Sequence, residues 1–246
     1  MGLFSKKKHH TAGQVDENRL PRHIAVIMDG NGRWAKRRGL PRTAGHKVGA
    51  EVFRKIATYC KELGVEYLTV YAFSTENWKR PADEVNTIMG LLKQYMLEAI
   101  DSMERDQIRL RFLGDMSALS PELQELARRT NEISSHIQGF QANVCLNYGG
   151  RDEILRAARA FARDCADGKA SPEALTEEGF GHYLYSDGIP DPDLIIRPSG
   201  ELRLSNFLLW QCAYAEFYFC DTLWPDFDER ALDAAIIDYQ KRDRRF

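Results

Sequence analysis

The sequence lacks long apolar runs, a surplus of basic charge and closely paired cysteines. No segment approaches the apolar length of a membrane span, and the N-terminus has no apolar core of a secretion signal. The net charge of −2 and the pI of about 6.3 argue against a broadly basic surface that binds nucleic acid. The five cysteines include no CxxC pair, which favours reduced thiols over zinc sites or disulfides. These absences predict a cytoplasmic protein without a nucleic-acid partner.

Two signatures of phosphate-handling enzymes are also missing. The sequence contains neither the GxxxxGK[ST] loop of many NTPases nor the motif set of protein kinases. A phosphohydrolase with an aspartate nucleophile stays open, because Asp29 directly follows an apolar run. That class usually has a second aspartate two residues later, where this sequence has Asn31. Any anion site must therefore be a local group of arginines.

The sequence is long enough for one domain with a sizeable core, at 246 residues and 43% hydrophobic content. We predict a flexible N-terminal tail at residues 1–19 and a single domain at 20–246. Apolar runs at 24–28 and 65–73, with a helical pattern at about 46–63 between them, predict a parallel βαβ unit. Further strands are predicted at 108–112, 140–146 and 193–196, and further helices at 82–105, 120–137 and 232–245. The pattern predicts an α/β fold with a central, mostly parallel sheet flanked by helices.

The stretch from residue 23 to residue 46 carries the most chemistry. An apolar strand ends at Asp29, two glycines flank Asn31, and a basic segment follows. The glycines allow a tight turn with unobstructed backbone N–H groups, and guanidinium groups bind phosphate through a fork of donors. The predicted anion-binding group consists of the backbone amides at 30–33 with Arg33, Arg42 and His46.

A second anion-binding group is predicted from Arg197, Arg203 and Ser205, so the sequence suggests two phosphorylated ligands. Glu216 lies inside an apolar aromatic run, where an unpaired carboxylate is costly, so we expect it to have a partner. Asp29 and Glu216 are the acids best placed to hold Mg²⁺ between them. Besides the phosphohydrolase, transfer of an allylic group is therefore open, in which Mg²⁺ and arginines stabilise a departing diphosphate.

Five ordered motifs resemble those of the cis-prenyltransferase family, and the resemblance covers residues 20–246. The motifs begin at His23, Arg42, Phe73, Asn147 and Arg197. The resemblance implies sequential cis condensation of isopentenyl diphosphate onto an allylic diphosphate such as farnesyl diphosphate, with Mg²⁺ as cofactor and a homodimer as the assembly. Bacterial members imply undecaprenyl diphosphate, the lipid-carrier precursor for cell-wall synthesis, as the product. The DDxxD motif of trans-prenyltransferases is absent from this sequence, as the resemblance requires.

The resemblance implies a role for each matching position. Asp29 is implied as the catalytic, metal-associated acid, and Glu216 as a metal ligand from the partner subunit or nearby. Asn77 is implied in proton removal; because amides are poor bases, we expect it to position a water or the diphosphate as the acceptor. The implied allylic-substrate residues are Gly30, Asn31, Gly32, Arg33, Trp34, Arg42 and His46. A mobile loop is implied at Ser74, Thr75, Glu76, Trp78 and Arg80. The isopentenyl-diphosphate site is implied at Arg197, Arg203, Leu204 and Ser205.

The resemblance also implies an apolar tunnel between sheet and helices that houses the growing chain. Met89, Leu91, Leu92 and Phe140 are expected along it, with ordinary core packing as the alternative for each. Phe140→Ala is expected to lengthen the products if Phe140 lies at the tunnel floor. A peripheral membrane contact is expected where the product is released.

The wider family also includes non-catalytic subunits, so a binding role is the alternative to an enzyme. Retention of Asp29, Asn77, Arg197 and Glu216 favours the enzyme. One departure concerns the C-terminus, because bacterial members usually continue past Arg-Arg-Phe with glycines and this sequence ends at Phe246. That ending would leave out any contribution of such a tail to a neighbouring active site.

Overall fold

A computed structural model describes residues 15–242 and has a six-stranded sheet at its centre. The strands are β1 His23–Ile27, β2 Tyr67–Ser74, β3 Arg109–Leu113, β4 Gln141–Tyr148, β5 Leu194–Arg197 and β6 Glu216–Phe219. Their order is β3-β4-β2-β1-β5-β6, and each pairing is parallel. The predicted α/β fold is therefore confirmed.

Helices connect most of the strands. They are α1 Asn31–Arg37, α2 Arg42–Leu63, α3 Ala82–Asp106, α4 Pro121–Ser134, α5 Gly150–Ala166, α6 Glu177–Gly181 and α7 Glu229–Gln240. Helix α2 begins four residues before its predicted start and ends at Gly64, whose φ of 97° provides the left-handed cap. Helix α1 is not predicted by the sequence pattern, because seven residues are too few for a helical repeat of apolar positions.

Both faces of the sheet are covered, as expected for parallel strands. Side chains alternate between the two faces along each strand. Ile24 and Val26 pack with α2 and α7 on one face, whereas Ala25 and Ile27 pack with Tyr71 on the other. The long apolar runs of the strands are thus explained by burial on both sides.

The strand order creates a crevice between β1 and β5. From β1 the chain continues to β2 on one side, and it later returns to β5 on the other side. The loops after β1 and β5 therefore diverge, and ligands of open α/β sheets bind in such a crevice beyond the carboxyl ends of the strands. Asp29 follows β1 by two residues, and Arg197 is the last residue of β5.

The packed chain begins inside the segment predicted to be a flexible tail. Val15 is buried, and a 3-10 turn at Glu17–Arg19 follows it. Gln240 near the C-terminus donates to the carbonyl oxygens of Asp16 at 2.8 Å and Arg19 at 3.1 Å. Residues 1–14 of the predicted tail, and the ending at Phe246, lie outside the described residues. None of the helices in residues 15–242 is both long enough and apolar enough to span a bilayer.

Two glycines of α2 allow α1 to approach closely. A Cβ atom at Gly45 would lie 2.1 Å from the carbonyl oxygen of Asn31, and one at Gly49 would lie 2.2 Å from its Oδ1 atom. Both distances are far below any real contact, so larger residues would displace the head of α1. Because α1 carries the glycine turn beyond Asp29, this packing fixes the position of the crevice wall.

Gly45→Ala is expected to destabilise the fold by about 1–3 kcal/mol through overpacking. The measurement is the free energy of unfolding from urea titration. Gly90→Ala on α3 is the matched control, because a Cβ there meets nothing within 4 Å. Replacing that helical glycine should stabilise the fold by roughly 0.5–1 kcal/mol. Equal effects of the two substitutions would contradict the packing argument.

Candidate active site

An ion pair spans the crevice between β1 and β5. Arg197 Nη2 donates to Asp29 Oδ2 at 2.9 Å, and the arginine is only 3% exposed. Its Nη1 atom donates to Ser205 Oγ at 2.8 Å and to the carbonyl oxygen of Arg203. The guanidinium of Arg197 thus joins the predicted catalytic acid to the second predicted anion-binding group.

Glu201 links the two predicted anion-binding groups on the opposite side of Asp29. Its carboxylate pairs with Arg33 Nη1 at 3.2 Å and also with Arg203. Arg33 lies 3.5 Å from Asp29 Oδ1 and donates to Ser199 Oγ at 2.6 Å. Arg33, Arg197 and Arg203 therefore lie around two carboxylates and form one continuous charged cluster.

The loop after β5 is held in an unusual backbone conformation. Ser199, Ser205 and Asn206 have φ values of 81°, 51° and 65°, a region that non-glycine residues rarely adopt. Such outliers are costly and persist where the surrounding structure fixes them, often at functional sites. Here they place the Ser199 hydroxyl against Arg33 and the Ser205 hydroxyl against Arg197.

Two buried polar atoms in the crevice have no hydrogen-bond partner in residues 15–242. They are Asn31 Oδ1 and Arg197 Nε. Buried polar atoms are nearly always satisfied, so unsatisfied ones require an explanation. Arg197 Nε is an N–H donor that a bound phosphate oxygen would satisfy.

The pKa of the Asp29 carboxyl lies below its ordinary value. Burial raises this pKa, but the hydrogen bond and charge of Arg197, the Gly30 N–H and the charge of Arg33 together outweigh burial. The Gly30 N–H donates to Asp29 Oδ1 at 2.6 Å. Asp29 is therefore an anion at neutral pH, which suits a metal ligand and does not suit a general acid.

A second cationic group surrounds Glu84 in the first turn of α3. This carboxylate is 5% exposed and contacts Arg80 Nη1 at 2.9 Å, Arg42 Nε at 3.2 Å and His46 Nε2 at 3.3 Å. Burial raises the pKa of Glu84, but the hydrogen bond from His46 and the charges of Arg80 and Arg42 hold it below its ordinary value. Glu84 therefore gathers Arg42 and His46 of the predicted allylic group, both from α2, and Arg80 of the predicted mobile loop.

Burial also sets the charge state of His46. It lowers the pKa of the imidazole below its ordinary value, and nearby Arg80 and Arg42 act in the same direction while Glu84 opposes them. The ring is therefore mainly neutral at pH 7. It contributes an N–H donor to the group and leaves the positive charge to the two arginines.

The predicted mobile loop forms a 3-10 turn at Thr75–Lys79 directly after β2. The Ser74 N–H donates to Asn77 Oδ1 at 3.1 Å, and the side chain of Ser74 accepts from the Asn77 backbone, so the two residues form a capping box. Asn206 Nδ2 donates to Glu76 Oε1 at 3.0 Å, which ties this turn to the loop after β5. The turn is thus held beside the crevice by side chains.

A cavity of ≈ 1160 Å³ leads from the crevice between the sheet and helices α2 and α3. It extends from Asp29 at the carboxyl edge of the sheet to Asp106 at the end of α3. The cationic residues of both groups line its mouth, and most of its interior is apolar. Apolar lining residues include Phe53, Val70, Leu91, Leu92, Ala142 and Val144. The predicted apolar tunnel, with Leu91 and Leu92 along it, is therefore present.

The predicted site residues fall into those that line the cavity and those that do not. Those that line the cavity are Asp29, Gly30, Asn31, Gly32, Arg33, Arg42, His46, Ser74, Glu76, Asn77, Arg80, Arg197, Arg203 and Ser205. Seven others are not among its lining residues in the described chain: Trp34, Thr75, Trp78, Leu204, Glu216, Met89 and Phe140. The last two pack in the core, which is the alternative considered for them.

The indoles of Trp34 and Trp78 have partners outside the cavity. Trp34 Nε1 donates to Asp226 Oδ1 at 2.6 Å, and the guanidinium of Arg38 lies 4.1 Å from the centre of the indole ring. Trp34 is therefore not a lining residue of the cavity, and its implied contact with the allylic substrate stays a prediction. Trp78 Nε1 donates to Asn147 Oδ1 at 2.7 Å, so its ring anchors the loop after β2 to the end of β4.

Glu216 does not meet Asp29 within the chain. It begins β6 opposite Leu194, which in turn lies opposite Ile24, so Glu216 is five residues, roughly 15 Å, from Asp29 along the strand direction. Its expected partner is Arg242, whose Nη1 atom donates to Glu216 Oε2 at 2.6 Å. A metal role for Glu216 therefore stays a prediction that depends on a partner subunit.

The crevice suits an Mg²⁺ ion that has a single carboxylate of this chain as its protein ligand. Proteins usually hold Mg²⁺ with one or two carboxylates, together with substrate phosphate oxygens and water. Asp29 provides one carboxylate beside three arginines. No group of three or more His, Cys, Asp or Glu side chains in residues 15–242 is arranged to hold a metal ion. The residues therefore fit a cation that arrives with a diphosphate, with Asp29 as its protein ligand.

The sequence pattern does not predict four residues of the site. Glu84, Ser199, Glu201 and Asn206 hold the cationic side chains or the loops in place. Glu201 and Asn206 lie between or beside predicted arginines, so their position in the motif is a usable signal. Glu84 offers no such signal, because an acid in the first turn of a helix is usually explained by the helix dipole.

Comparisons with known proteins agree with this geometry. Residues 27–246 match the family model described as putative undecaprenyl diphosphate synthase. An isoprenyl transferase of Clostridium perfringens is 49% identical over all of this chain and 98% of its own length, and one of Heliobacterium mobile is 51% identical over 95% and 90%.

Two solved structures also match. A lavandulyl diphosphate synthase from Lavandula x intermedia, in complex with dimethylallyl diphosphate, has a TM-score of 0.88 and 34% identity over 92% of this chain and 98% of its own. A probable undecaprenyl diphosphate synthase from Campylobacter jejuni has a TM-score of 0.75 and 37% identity over 91% and 97%.

Proposed function

The chain belongs to the cis-prenyltransferase family and is an isoprenyl transferase by that relationship, and from this premise we propose that it condenses isopentenyl diphosphate sequentially onto farnesyl diphosphate. The proposed product is a long-chain polyprenyl diphosphate, undecaprenyl diphosphate in particular. The proposal includes dependence on Mg²⁺. In bacteria such a product would be the precursor of the lipid carrier for cell-wall synthesis.

One observation carries the proposal: two cationic groups meet at the mouth of a single long apolar cavity. One group lies around Glu84, and the other consists of Arg33, Arg197 and Arg203 around Asp29 and Glu201. A single phosphorylated ligand would need only one such group, whereas condensation of two diphosphates needs two. The apolar cavity of ≈ 1160 Å³ suits a hydrocarbon chain attached to one of the diphosphates.

In the proposed reaction, the allylic diphosphate binds Arg42 and His46 of the Glu84 group together with Arg33, the member of the other cluster that adjoins it, and extends its chain into the cavity. Isopentenyl diphosphate binds Arg197, Arg203 and Ser205. The alkene of isopentenyl diphosphate attacks the allylic C1 carbon, the C1–O bond breaks, and inorganic diphosphate leaves. Arginines stabilise the charge that grows on the leaving oxygens more strongly than the charge of the bound substrate. Mg²⁺ bound through Asp29 would neutralise further charge on the departing diphosphate.

The condensation ends with loss of one proton from the isopentenyl unit. The Asn77 amide is a poor base, and its Oδ1 atom already accepts the Ser74 N–H. We propose that Asn77 orients the acceptor, a water or the departing diphosphate, while the capping box holds the amide in place. If Asn77→Ala left the single-turnover condensation rate unchanged, Asn77 would have neither this role nor that of a base.

A homodimer is part of the proposal, since Glu216 could reach a second site only as a partner's residue. The edge strand β6 and the neighbouring Leu202 and Tyr214 side chains, 75% and 68% exposed, provide a surface for such contact. A cytoplasmic location and a peripheral membrane contact stay predictions from the sequence and the family resemblance.

The deciding experiment combines radiolabelled isopentenyl diphosphate, farnesyl diphosphate and Mg²⁺, with products resolved by chain length. We expect a ladder that ends at a long polyprenyl diphosphate. Absence of elongated product would overturn the proposed function. Release of inorganic phosphate from either substrate alone would instead support the phosphohydrolase.

Product length is expected to depend on the deep end of the cavity. Ala99 on α3 lines that end, so Ala99→Phe should fill part of it and shorten the longest product by one or more isoprene units. Leu97→Phe is the control, because Leu97 lies on the same helix but is 45% exposed. Chromatography of the products checks both. Wild-type lengths from the Ala99 variant would remove this part of the cavity from chain-length control.

A further inference from the structure

The outer wall of the cavity is a seam between helices α2 and α3. The apolar residues of α2, such as Val52 and Ile56, pack with the sheet and α7. Those of α3, such as Val85 and Met96, pack in a different cluster with α4. The cavity lies between the two helices, so the seam is not sealed by a shared apolar core.

Polar bridges cross this seam instead, from residues that are seven positions apart on α2. The Tyr95 hydroxyl donates to the backbone carbonyl of Lys47, Arg54 pairs with Glu98, and the Lys61 ammonium donates to the backbone carbonyl of Asp106. A spacing of seven returns to nearly the same face of a helix, so the side chains of Arg54 and Lys61 both face α3. Residue numbers increase along both helices from one bridge to the next, so the helices run in the same direction along the seam.

The middle bridge is the most elaborate and is in direct contact with the cavity. Arg54 pairs with Glu98, and its guanidinium also lies 4.5 Å from the centre of the Tyr95 ring. Gln94 Nε2 donates to Glu98 Oε1 at 2.7 Å, which holds the carboxylate in place. Arg54, Tyr95 and Glu98 all line the cavity, and the polar lining continues along α3 to Asp101 and Arg105.

This bridge is weak enough to open repeatedly. The side chains of Arg54 and Glu98 are 48% and 39% exposed, and exposed ion pairs stabilise proteins only slightly. By contrast, the Glu84 carboxylate at the head of the same two helices is buried against Arg42 and His46. The seam is therefore held firmly at the diphosphate end and loosely in its middle.

A long product cannot easily leave through the mouth of the cavity. Its hydrocarbon would have to pass the Asp29 and Arg197 cluster, where contact with an apolar chain would strip water from charged groups at a cost. If α2 and α3 instead moved apart at the seam, the hydrocarbon of the product could leave between them along its whole length. The diphosphate of the product would leave from the crevice.

We propose that Arg54, Tyr95 and Glu98 form a latch on a side opening between α2 and α3, through which the finished hydrocarbon leaves the cavity. The inference rests on the proposed function, because it requires a hydrocarbon product in the cavity. It assigns these three residues to product release and gives them no part in the condensation.

The test is to close the latch chemically. Arg54→Cys and Glu98→Cys are combined, and the two thiols are joined with a short bismaleimide. Relative to the same double variant before cross-linking, the first condensation should keep its rate by rapid quench, whereas steady-state release of long product should fall at least tenfold. Labelled long product should remain bound to the protein. Wild type and each single variant, treated with the same reagent, control for reaction at the five native cysteines.

A second variant loosens the latch without cross-linking. Glu98→Gln should raise the ratio of steady-state release to first-condensation rate severalfold, whereas substitution of the exposed Glu104 on the same helix, Glu104→Gln, should leave that ratio at the wild-type value. Unchanged release by the cross-linked protein, or by Glu98→Gln, would overturn the latch. Absence of elongated product from wild type would overturn the proposed function, so the two failures are distinguishable.

Discussion

Asp29→Asn is expected to lower the rate of condensation by about 10²–10³-fold, the range for loss of one preorganised electrostatic group at a reacting centre. The amide has nearly the same shape as the carboxylate, but it has only one acceptor oxygen, so it keeps the hydrogen bond from either Arg197 or the Gly30 N–H and loses the other. What it lacks is the negative charge that would hold Mg²⁺ beside the departing diphosphate. Loss of that charge should therefore affect the chemical step, with the fold largely preserved.

The same substitution should not weaken binding of a diphosphate in the absence of metal. Removing Asp29 leaves Arg33 and Arg197 without their shared counter-charge, so the crevice becomes more positive. Equilibrium binding of farnesyl diphosphate without Mg²⁺ should be equal to wild type or tighter, while single-turnover condensation with Mg²⁺ falls. This division between binding and rate is not expected from a variant that is merely misfolded.

Asp226→Asn is the matched control for Asp29→Asn. Asp226 is also a partly exposed aspartate that pairs with an arginine, here Arg38, but its contacts are outside the cavity. Its variant should condense substrates within about twofold of the wild-type rate. If Asp29→Asn condensed its substrates at the wild-type rate with Mg²⁺ present, the proposed role of this residue would be wrong.

The fold and the position of Asp29 could be predicted from the sequence because both depend on local patterns. Long apolar runs separated by a helical pattern indicate parallel strands, and the polar residue that ends each run must lie at the carboxyl edge of the sheet. This reasoning places Asp29, Ser74 and Arg197 at one edge without knowledge of the strand order. The topology then adds that β1 and β5 are neighbours, so that Asp29 and Arg197 form a direct pair.

The rest of the site depends on directions that no local pattern determines. Glu84 contacts Arg42 and His46 only because α2 and α3 begin at the same edge of the sheet. Trp34 follows the glycine turn in the sequence, yet the packing of α1 directs its indole towards Asp226 and away from the cavity. Glu216 is an acidic residue in an apolar run, but the register of β6 places it at the edge of the sheet opposite to Asp29. The sequence therefore predicts which edge of the sheet carries a residue that ends a strand, but it does not predict this for a residue such as Glu216 that begins one.

Arg197→Lys is expected to lower kcat/KM for isopentenyl diphosphate by about 10²–10³-fold, although the charge is retained. The guanidinium of Arg197 donates in two directions at once, to Asp29 Oδ2 and to Ser205 Oγ. A lysine ammonium is a single point of charge on a flexible stem and does not reproduce this planar fork. The Asp29 carboxylate and the Ser205 loop should therefore lose their fixed relation, so both kcat and KM should change. Steady-state kinetics with isopentenyl diphosphate as the varied substrate measures both.

Arg156→Lys separates this effect from a general loss of stability. Arg156 is also a partly buried arginine with several contacts, since it donates to the carbonyl oxygen of Tyr183 at 2.5 Å and lies 4.0 Å from the centre of the Tyr185 ring. It is not among the residues that line the cavity, so its lysine variant should lower the thermal midpoint and leave kcat/KM near wild type. Should Arg197→Lys instead keep wild-type kcat/KM, an arginine fork at the end of β5 would not be required, and a point charge in the crevice would be sufficient for isopentenyl diphosphate. Because Arg197 is 3% exposed and holds the loop that carries Ser205, we expect the geometry of the fork to be limiting and the charge alone to be insufficient.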